Sequence, residues 1–295
     1  MSARILDGVA IGRAIRDEVA VEARKLAAAG RQPGLAVVLV GENPASKAYV
    51  GSKEKACREA GMRSVKITRA AEIPEAELLG IVDQLNADPA IHGILVQLPL
   101  PRHMNSEKVL HRIDPAKDVD GFHPMNVGKL VIGDPTALRP CTPYGVQQML
   151  IRSGIETRGA HAVIVGRSNI VGRPMANLLI QQGPGGDATV TVCHSRTRDL
   201  PGVCRAADIL IAAIGKAEFV TRDFVRPGAV VIDVGINRVD DPTRPKGYRL
   251  VGDVKYAECA ELAAAITPVP GGVGPMTIAM LMMNTLQAMK QATLQ

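Results

Sequence analysis

Val163-Ile-Val-Gly-Arg-Ser-Asn-Ile-Val-Gly-Arg-Pro174 reads as an apolar strand reaching Gly166, a tight turn, and an apolar helical segment running from Gly172 to Ile180. A strand, a glycine-bounded turn and a helix start present backbone N–H groups to a phosphate. The spacing departs from the dinucleotide fingerprint G-x-G-x-x-G, which would put glycine at Ser168. An ordinary βα turn with glycines at its corners would look the same, so the flanking segments have to decide.

Upstream, residues 10–29 carry apolar residues near helical spacing and end at Gly30. Leu35–Val40 is a continuous apolar run closed by Gly41, the pattern of a buried parallel strand. Asn43-Pro44 opens a helix that runs to about Ala60 and stops at Gly61. A strand (SVKIT), a helix over Glu75–Asn86, the strand His92–Gln97 and the proline-punctuated Leu98–Pro101 follow. Strands and helices alternating at this spacing indicate an α/β layer with a largely parallel sheet. Residues 112–142 are rich in Asp, Pro and Gly without a period, and are assigned as the inter-domain passage. Pro143–Ser153 reads as a connecting helix. The alternation then resumes with strands at 163–165, 189–193, 208–213 and 229–234. Gly183–Asp187 and Asp240–Arg249 look like loop extensions. A turn, Pro270-Gly-Gly-Val-Gly-Pro275, precedes a Met- and Leu-rich closing helix over 276–290, whose apolar stripe is read as packing. The expectation is two α/β domains with a cleft between them, the second a Rossmann-like, doubly wound, mostly parallel sheet. The boundaries are 1–139, completed by a C-terminal helix over 276–295, and 140–275.

Composition narrows the class. A chain of 295 residues with 46% hydrophobic and 22% charged content builds a well-buried core. Five cysteines without a C-x-x-C pair suit a reducing compartment better than a disulfide framework or a zinc site. No signal-peptide-like start and no run of roughly 20 apolar residues stands in the sequence, so the cytoplasm is the expected location. A net charge of +6, with scattered Lys and Arg, three Phe, four Tyr and no Trp, argues for a small anionic ligand over nucleic acid.

In a doubly wound sheet that binds NAD, a carboxylate ends the second strand about 20 residues past the glycine loop. Here the strand TVTVC continues into His194-Ser195-Arg196-Thr197 instead. A hydroxyl and a guanidinium suit a 2′-phosphate that a carboxylate would repel, and Arg167 is a second candidate, so NADP is favoured over NAD. Tyr49 and Lys53, four apart on a helix, share one face and can converge on a proton-transfer site, although such pairs are also common on solvated helices. Gln97 ends a buried strand, where open α/β sheets place ligand contacts. Asp118-Val-Asp120-Gly121 fails as a calcium loop because Ala116 and Val127 would occupy its first and last positions. Pro270–Pro275 lacks the Lys-Ser/Thr of an ATP loop but describes a turn whose backbone a ligand can approach. The six His show no ligand spacing, and no metal site is expected.

Together these motifs resemble the bifunctional methylenetetrahydrofolate dehydrogenase–methenyltetrahydrofolate cyclohydrolase (FolD) family. The matching pieces are YVGSKEKACREAGM (49–62), GILVQLPLP (93–101), DPAKDVDGFHPMNVGKL (114–130), RPCTPYGV (139–146), VGRSNIVGRPMA (165–176), TVTVCHSRT (189–197), ADILIAAIGK (207–216), VIDVGIN (231–237) and ITPVPGGVGPMT (266–277). The resemblance implies NADP-dependent oxidation of 5,10-methylenetetrahydrofolate and hydrolysis of the methenyl product to 10-formyltetrahydrofolate. It implies Lys53 as catalytic lysine, Tyr49 stacking on or positioning the folate, Gln97 supporting the lysine, and Asp120 gripping the pterin. It places the backbone of Val96, Gln97 and Leu98 and the loop Pro270, Gly271, Gly272, Val273 and Gly274 at the folate. Gly166, Arg167, Ser168, Ser195 and Ile236 fall on cofactor positions. A homodimer joined through the cofactor domains, and a place in one-carbon metabolism feeding purine biosynthesis, come with the same resemblance. A monofunctional NAD(P)-dependent dehydrogenase of the same architecture is the alternative. A non-catalytic nucleotide sensor is a third reading, which would keep the glycine loop and lose the lysine.

Overall fold

The computed structural model describes residues 3–245 and 247–292, apart from the side chain of Ala45. Residues 1–2 and 293–295 of the expected domains, and Lys246 of the expected loop extension, lie outside the described residues. The chain runs β1 (Arg4–Ile5), α1 (Gly8–Ala28), β2 (Gly34–Val40), α2 (Pro44–Glu59), β3 (Arg63–Arg69), α3 (Glu75–Ala87), β4 (Gly93–Val96), α4 (Ser106–Arg112), α5 (Pro124–Ile132) and α6 (Cys141–Arg152). It continues β5 (His161–Val165), α7 (Gly172–Ile180), β6 (Thr189–Cys193), α8 (Leu200–Arg205), β7 (Ile209–Ala212), β8 (Val230–Asp233), β9 (Asn237–Asp240), β10 (Tyr248–Val251), α9 (Tyr256–Ala260), β11 (Ala265–Ile266) and α10 (Val273–Ala292). These form two compact units. One joins Arg13–Cys141 to the chain from Ile278 onward, and the other joins the N-terminal residues up to Gly12 to Thr142–Thr277.

The first unit is built on the parallel sheet β3–β2–β4. Every residue of β2, GLAVVLV, is buried, as expected of a central strand covered on both faces. Leu78, Ile81, Val82 and Leu85 of α3 recur at helical spacing and join Ala36, Val38, Ile94 and Val96 in one core cluster. The start of α2 is fixed by Asn43, whose side chain accepts from Ser46 N at 3.1 Å, with Pro44 in the first turn.

The stretch 112–142 corrects the sequence reading, because it folds as part of this unit and is not a passage. Lys117 Nζ donates to the carbonyls of Leu85, Asn86 and Asp88 at 3.1, 2.7 and 2.8 Å, capping the C-terminal end of α3. Ile94 N donates to Lys117 O, so 117–119 runs beside β4. Asp118, 1% exposed, accepts from His123 N and Asn126 Nδ2 at 2.8 and 2.9 Å. α5 then starts at Pro124 and stops at Gly133, which has the left-handed φ of 74°. Both signals stood in the sequence, but Asp, Pro and Gly in short elements hide any period. The unit boundary falls after Cys141.

The second unit holds a six-stranded sheet in the order β1–β11–β8–β7–β5–β6, its pairings parallel. Counted from β5, the order 2-1-3-4-5 reverses direction between β5 and β7. That makes the sheet doubly wound, with its switch point at those two strands. β1 pairs with β11, so the residues before Gly12 belong to this unit and not, as the sequence boundary 1–139 has it, to the first domain. A two-residue strand is too short to declare itself by alternation. Asp240–Arg249 also differs from expectation, since its ends belong to the antiparallel hairpin β9–β10, where Arg238 stacks its guanidinium 4.0 Å from the Tyr248 ring centre. Gly183–Asp187 is a turn packed on α6, with Gln147 Nε2 donating to Gly185 O at 3.1 Å. The turn before the closing helix is shorter than expected, because Val273–Pro275 already form the first turn of α10. No helix among the described residues is long and apolar enough to cross a membrane.

Candidate active site

In the first unit, α2 and the end of β4 supply the polar cluster. Lys53 is only 8% exposed although it sits on a helix with solvated neighbours. Its Nζ donates to Gln97 Oε1 at 3.0 Å, and Gln97 Nε2 donates to Leu98 O at 2.7 Å. That pair of bonds fixes which end of the Gln97 amide faces the lysine. Gln97 N donates to Val38 O, which locks the glutamine to the central strand. Tyr49 lies one turn before Lys53 with a 42% exposed ring. Cys57, one turn after, is buried, and burial pushes its thiol up to about 12 while the Lys53 charge partly offsets the rise. Lys53 therefore stands between a wet aromatic face and a dry core.

Asp120 is brought to this cluster by the stretch that composition had marked as a passage. Burial raises its carboxyl above the usual range, the nearby Lys53 charge lowers it, and Asp118 raises it further. A side chain at Gly121 is impossible, since a Cβ there would lie 2.6 Å from Leu138 O, and its φ is +71°. This close approach holds Asp120 against 138–140. From α10, Asn284 Nδ2 donates to Val119 O at 2.7 Å and Arg139 O at 2.8 Å, tying the residue before Asp120 to the 138–140 segment. Cys141 donates its thiol to Val119 O at 3.2 Å. Sequence reasoning missed Asp118, Asn284 and Cys141 as supports. Asn284 and Cys141 have partners far along the chain, while those of Asp118 stand five and eight residues on, in a stretch whose short elements carry no period. Val96 is 1% exposed in the core, which leaves only its backbone for a ligand, while Leu98 is half-buried.

Pro270, Gly271, Gly272, Val273 and Gly274 fold with the six-stranded sheet. The loop is pressed against the start of α1: a Cβ on Gly8 would fall 1.7 Å from Gly272 O. Asp7 Oδ1 accepts from Val9 N and Ala10 N at 2.9 and 3.0 Å, fixing that helix start. Val273 is buried, so it too can offer only backbone. Ile236, 47% exposed, borders the loop, since a methyl on Gly274 would lie 3.6 Å from its Cδ1.

The glycine loop sits at the switch point. Gly166 N donates to Cys193 O at 2.9 Å, joining the loop to the end of β6. Gly166 has φ +139°, and a Cβ there would lie 2.1 Å from Ala213 O, so the loops after β5 and β7 meet backbone to backbone. Ser168 occupies the fingerprint's missing glycine position for a reason: its Oγ accepts from Val171 N at 3.1 Å and Gly172 N at 3.4 Å, capping α7. Arg167, Ser168, Ser195 and Arg196 are all exposed. The turn after β6 is held by Thr197 N donating to His194 O and Arg196 N donating to His194 Nδ1 at 2.8 and 3.1 Å. A backbone cradle, two guanidiniums and a hydroxyl, with no acid ending β6, fit a dinucleotide bearing a 2′-phosphate. No group of three or more His, Cys, Asp or Glu able to hold a metal occurs among the described residues.

Comparison with known proteins agrees along nearly the whole chain. The tetrahydrofolate dehydrogenase/cyclohydrolase catalytic domain matches residues 6–120, and the NAD(P)-binding domain of the same name matches 140–293. Bifunctional protein FolD 1 of Myxococcus xanthus is 57% identical over 289 residues, covering 98% of both chains. The crystal structure of the bifunctional FolD enzyme of Campylobacter jejuni superposes with a TM-score of 0.92 at 46% identity, over 99% of this chain and 100% of that one. The Trypanosoma brucei FolD, solved with NADP and an inhibitor, gives 0.93 at 41% identity over 99% of each chain. A buried lysine held by a strand-end glutamine, and a dinucleotide cradle lacking the NAD acid, are thus carried by a chain that belongs to the tetrahydrofolate dehydrogenase/cyclohydrolase family.

Proposed function

We propose that this protein oxidises 5,10-methylenetetrahydrofolate to 5,10-methenyltetrahydrofolate with NADP and hydrolyses that product to 10-formyltetrahydrofolate. The observation that carries the reading is the buried Lys53 bonded to Gln97, with Asp120 beside it, in a chain of this family. The unit built on β2–β4 takes the folate, with the backbone of Val96–Leu98, and the six-stranded unit takes NADP.

Gly166, Arg167, Ser168 and Ser195 hold the phosphates and ribose of NADP, Arg196 adds charge for the 2′-phosphate, and Ile236 supplies an apolar wall. When bound, NADP supplies the hydride acceptor. Tyr49 offers its exposed ring to the folate, and Asp120 its carboxyl to the pterin's N–H donors. Hydride transfer asks the protein mainly for positioning, and these contacts supply it. Hydrolysis asks for proton management, and Lys53 carries it. Its Nζ, pinned by Gln97 Oε1, passes a proton between the attacking water and the nitrogen released on ring opening.

The protein acts as a homodimer joined through the cofactor units, where β6 offers a sheet edge with Val192 40% exposed. It works in the cytoplasm, in keeping with five free, buried cysteines, and its product serves purine biosynthesis. Small-molecule folate, not nucleic acid, is its substrate.

The deciding experiment supplies 5,10-methylenetetrahydrofolate with NADP or NAD and follows reduced cofactor and methenyl product separately. Turnover with NADP is expected, and none with either cofactor would reject the reading. Lys53→Met should abolish methenyl hydrolysis and leave NADP binding near normal. Lost NADP binding would contradict the assigned role.

A further inference from the structure

Two carboxylates are buried beneath the C-terminal ends of β7 and β8, and none of the chemistry above uses them. Asp253 is 0% exposed and Asp233 is 3% exposed. Asp253 Oδ2 accepts from both Ile214 N and Gly215 N at 2.8 Å, in the loop that follows β7. Its Oδ1 accepts from Asn237 Nδ2 at 2.9 Å, immediately after Ile236. One carboxylate therefore ties together the loop whose Ala213 abuts Gly166 and the loop that carries Ile236.

Asp233 holds that carboxylate in turn. Its Oδ1 accepts from Gly235 N and Asp253 N, and its Oδ2 from Val254 N, all at 2.9 Å. Glycines make the close packing possible: a Cβ on Gly235 would lie 2.3 Å from Asp253 Oδ1, and one on Gly252 would lie 1.7 Å from Asp233 Oδ2. The hairpin β9–β10 pairs Asn237 with Val251 and so returns the chain to place Asp253 under the turn it left. Burying two carboxylates is tolerable only with full hydrogen bonding, as here. Such a cluster is suited to holding loops in one geometry.

We propose that Asp253 is a positioning residue for hydride transfer, fixing Ile236 through Asn237 and the loop after β7 through the Ile214 and Gly215 amides. The proposal rests on the reading that Ile236 and the Gly166 loop hold NADP. It predicts that the two activities separate, because the bonds of Asp253 go to loops assigned to NADP and to none of Lys53, Gln97 or Asp120.

The test uses the full-length enzyme and three variants: Asn237→Ala, Asp253→Asn and the double variant N237D/D253N. The double variant reverses the polarity of one hydrogen bond at constant net charge. The carboxylate now at 237 accepts from the amide now at 253, whose oxygen still faces Ile214 N and Gly215 N. Asn237→Ala should lower the single-turnover hydride-transfer rate, or raise KM for NADP, by about tenfold, with cyclohydrolase changing by less than about threefold. Asp253→Asn should lower hydride transfer, and the double variant should recover most of what that single loses. Equal loss of both activities in Asn237→Ala would mean a merely structural tie, and unchanged hydride transfer, or no recovery in the double variant, would overturn the proposal. If the wild type itself lacks NADP-dependent oxidation, the underlying reading fails instead.

Discussion

Lys53 Nζ donates to Gln97 Oε1 at 3.0 Å, joining the middle of α2 to the end of β4 across 44 residues of sequence. The bond fixes a buried ammonium at the tip of the central sheet. Replacing Gln97 by Leu removes its acceptor and leaves it without that partner in a largely dry site. The unpaired group should cost about 1–3 kcal/mol of stability, and cyclohydrolase should fall by roughly 10²-fold or more. Steady-state hydrolysis of the methenyl substrate together with denaturant unfolding checks both. A variant hydrolysing at the wild-type rate would show that Lys53 needs no support from Gln97.

Arg167 is exposed in the glycine loop after β5, and no acid ends the neighbouring strand β6. Arg167→Ala should weaken NADP by about 10–100-fold, the worth of charge-assisted bonds to a phosphate, and weaken NAD far less. Titration of both cofactors measures the difference. Equal weakening would remove the 2′-phosphate role.

Gly166 adopts φ +139° and has no room for a Cβ, with Ala213 O only 2.1 Å from where one would sit. Gly166→Ala should strain the backbone by about 1–3 kcal/mol and push the loops after β5 and β7 apart. Thermal unfolding should shift downward and NADP affinity should drop at least about tenfold. Unchanged NADP affinity in a folded variant would place the cofactor away from this loop.

Burial pushes the Asp233 carboxyl up to about 6, against the lowering effect of three backbone N–H donors, and the Asp253 charge adds to the rise. The folded chain therefore holds this proton more tightly than the unfolded chain, whose carboxyl titrates near 3.8. The resulting stabilisation is complete below that lower value and is lost as the pH rises through about 6, by at most roughly 3 kcal/mol. Asp233→Asn abolishes this dependence. The stability advantage of wild type over the variant should shrink between about pH 4 and about pH 6 and stay level above that. An advantage that grows over the same interval would mean the N–H donors outweigh desolvation.

The sequence by itself determined the alternation of strands and helices, because LAVVLV and VIV are apolar runs closed by glycine and their helices carry caps. It also marked the glycine loop, the missing acid after β6, and Lys53 one turn after Tyr49, all features written in contiguous residues. Tertiary structure decided the rest, because the deciding bonds join residues far apart in sequence. Only the fold places β1 beside β11, turns the Asp-rich 114–121 stretch into the mount for Asp120, and has α10 clamp it through Asn284. Only the fold pairs Lys53 with Gln97 and buries Asp233 and Asp253 beneath the loops that carry Ala213 and Ile236. Local pattern reports which face of an element is apolar. Which polar groups meet behind that face depends on sheet order, and sheet order is set by packing the whole unit.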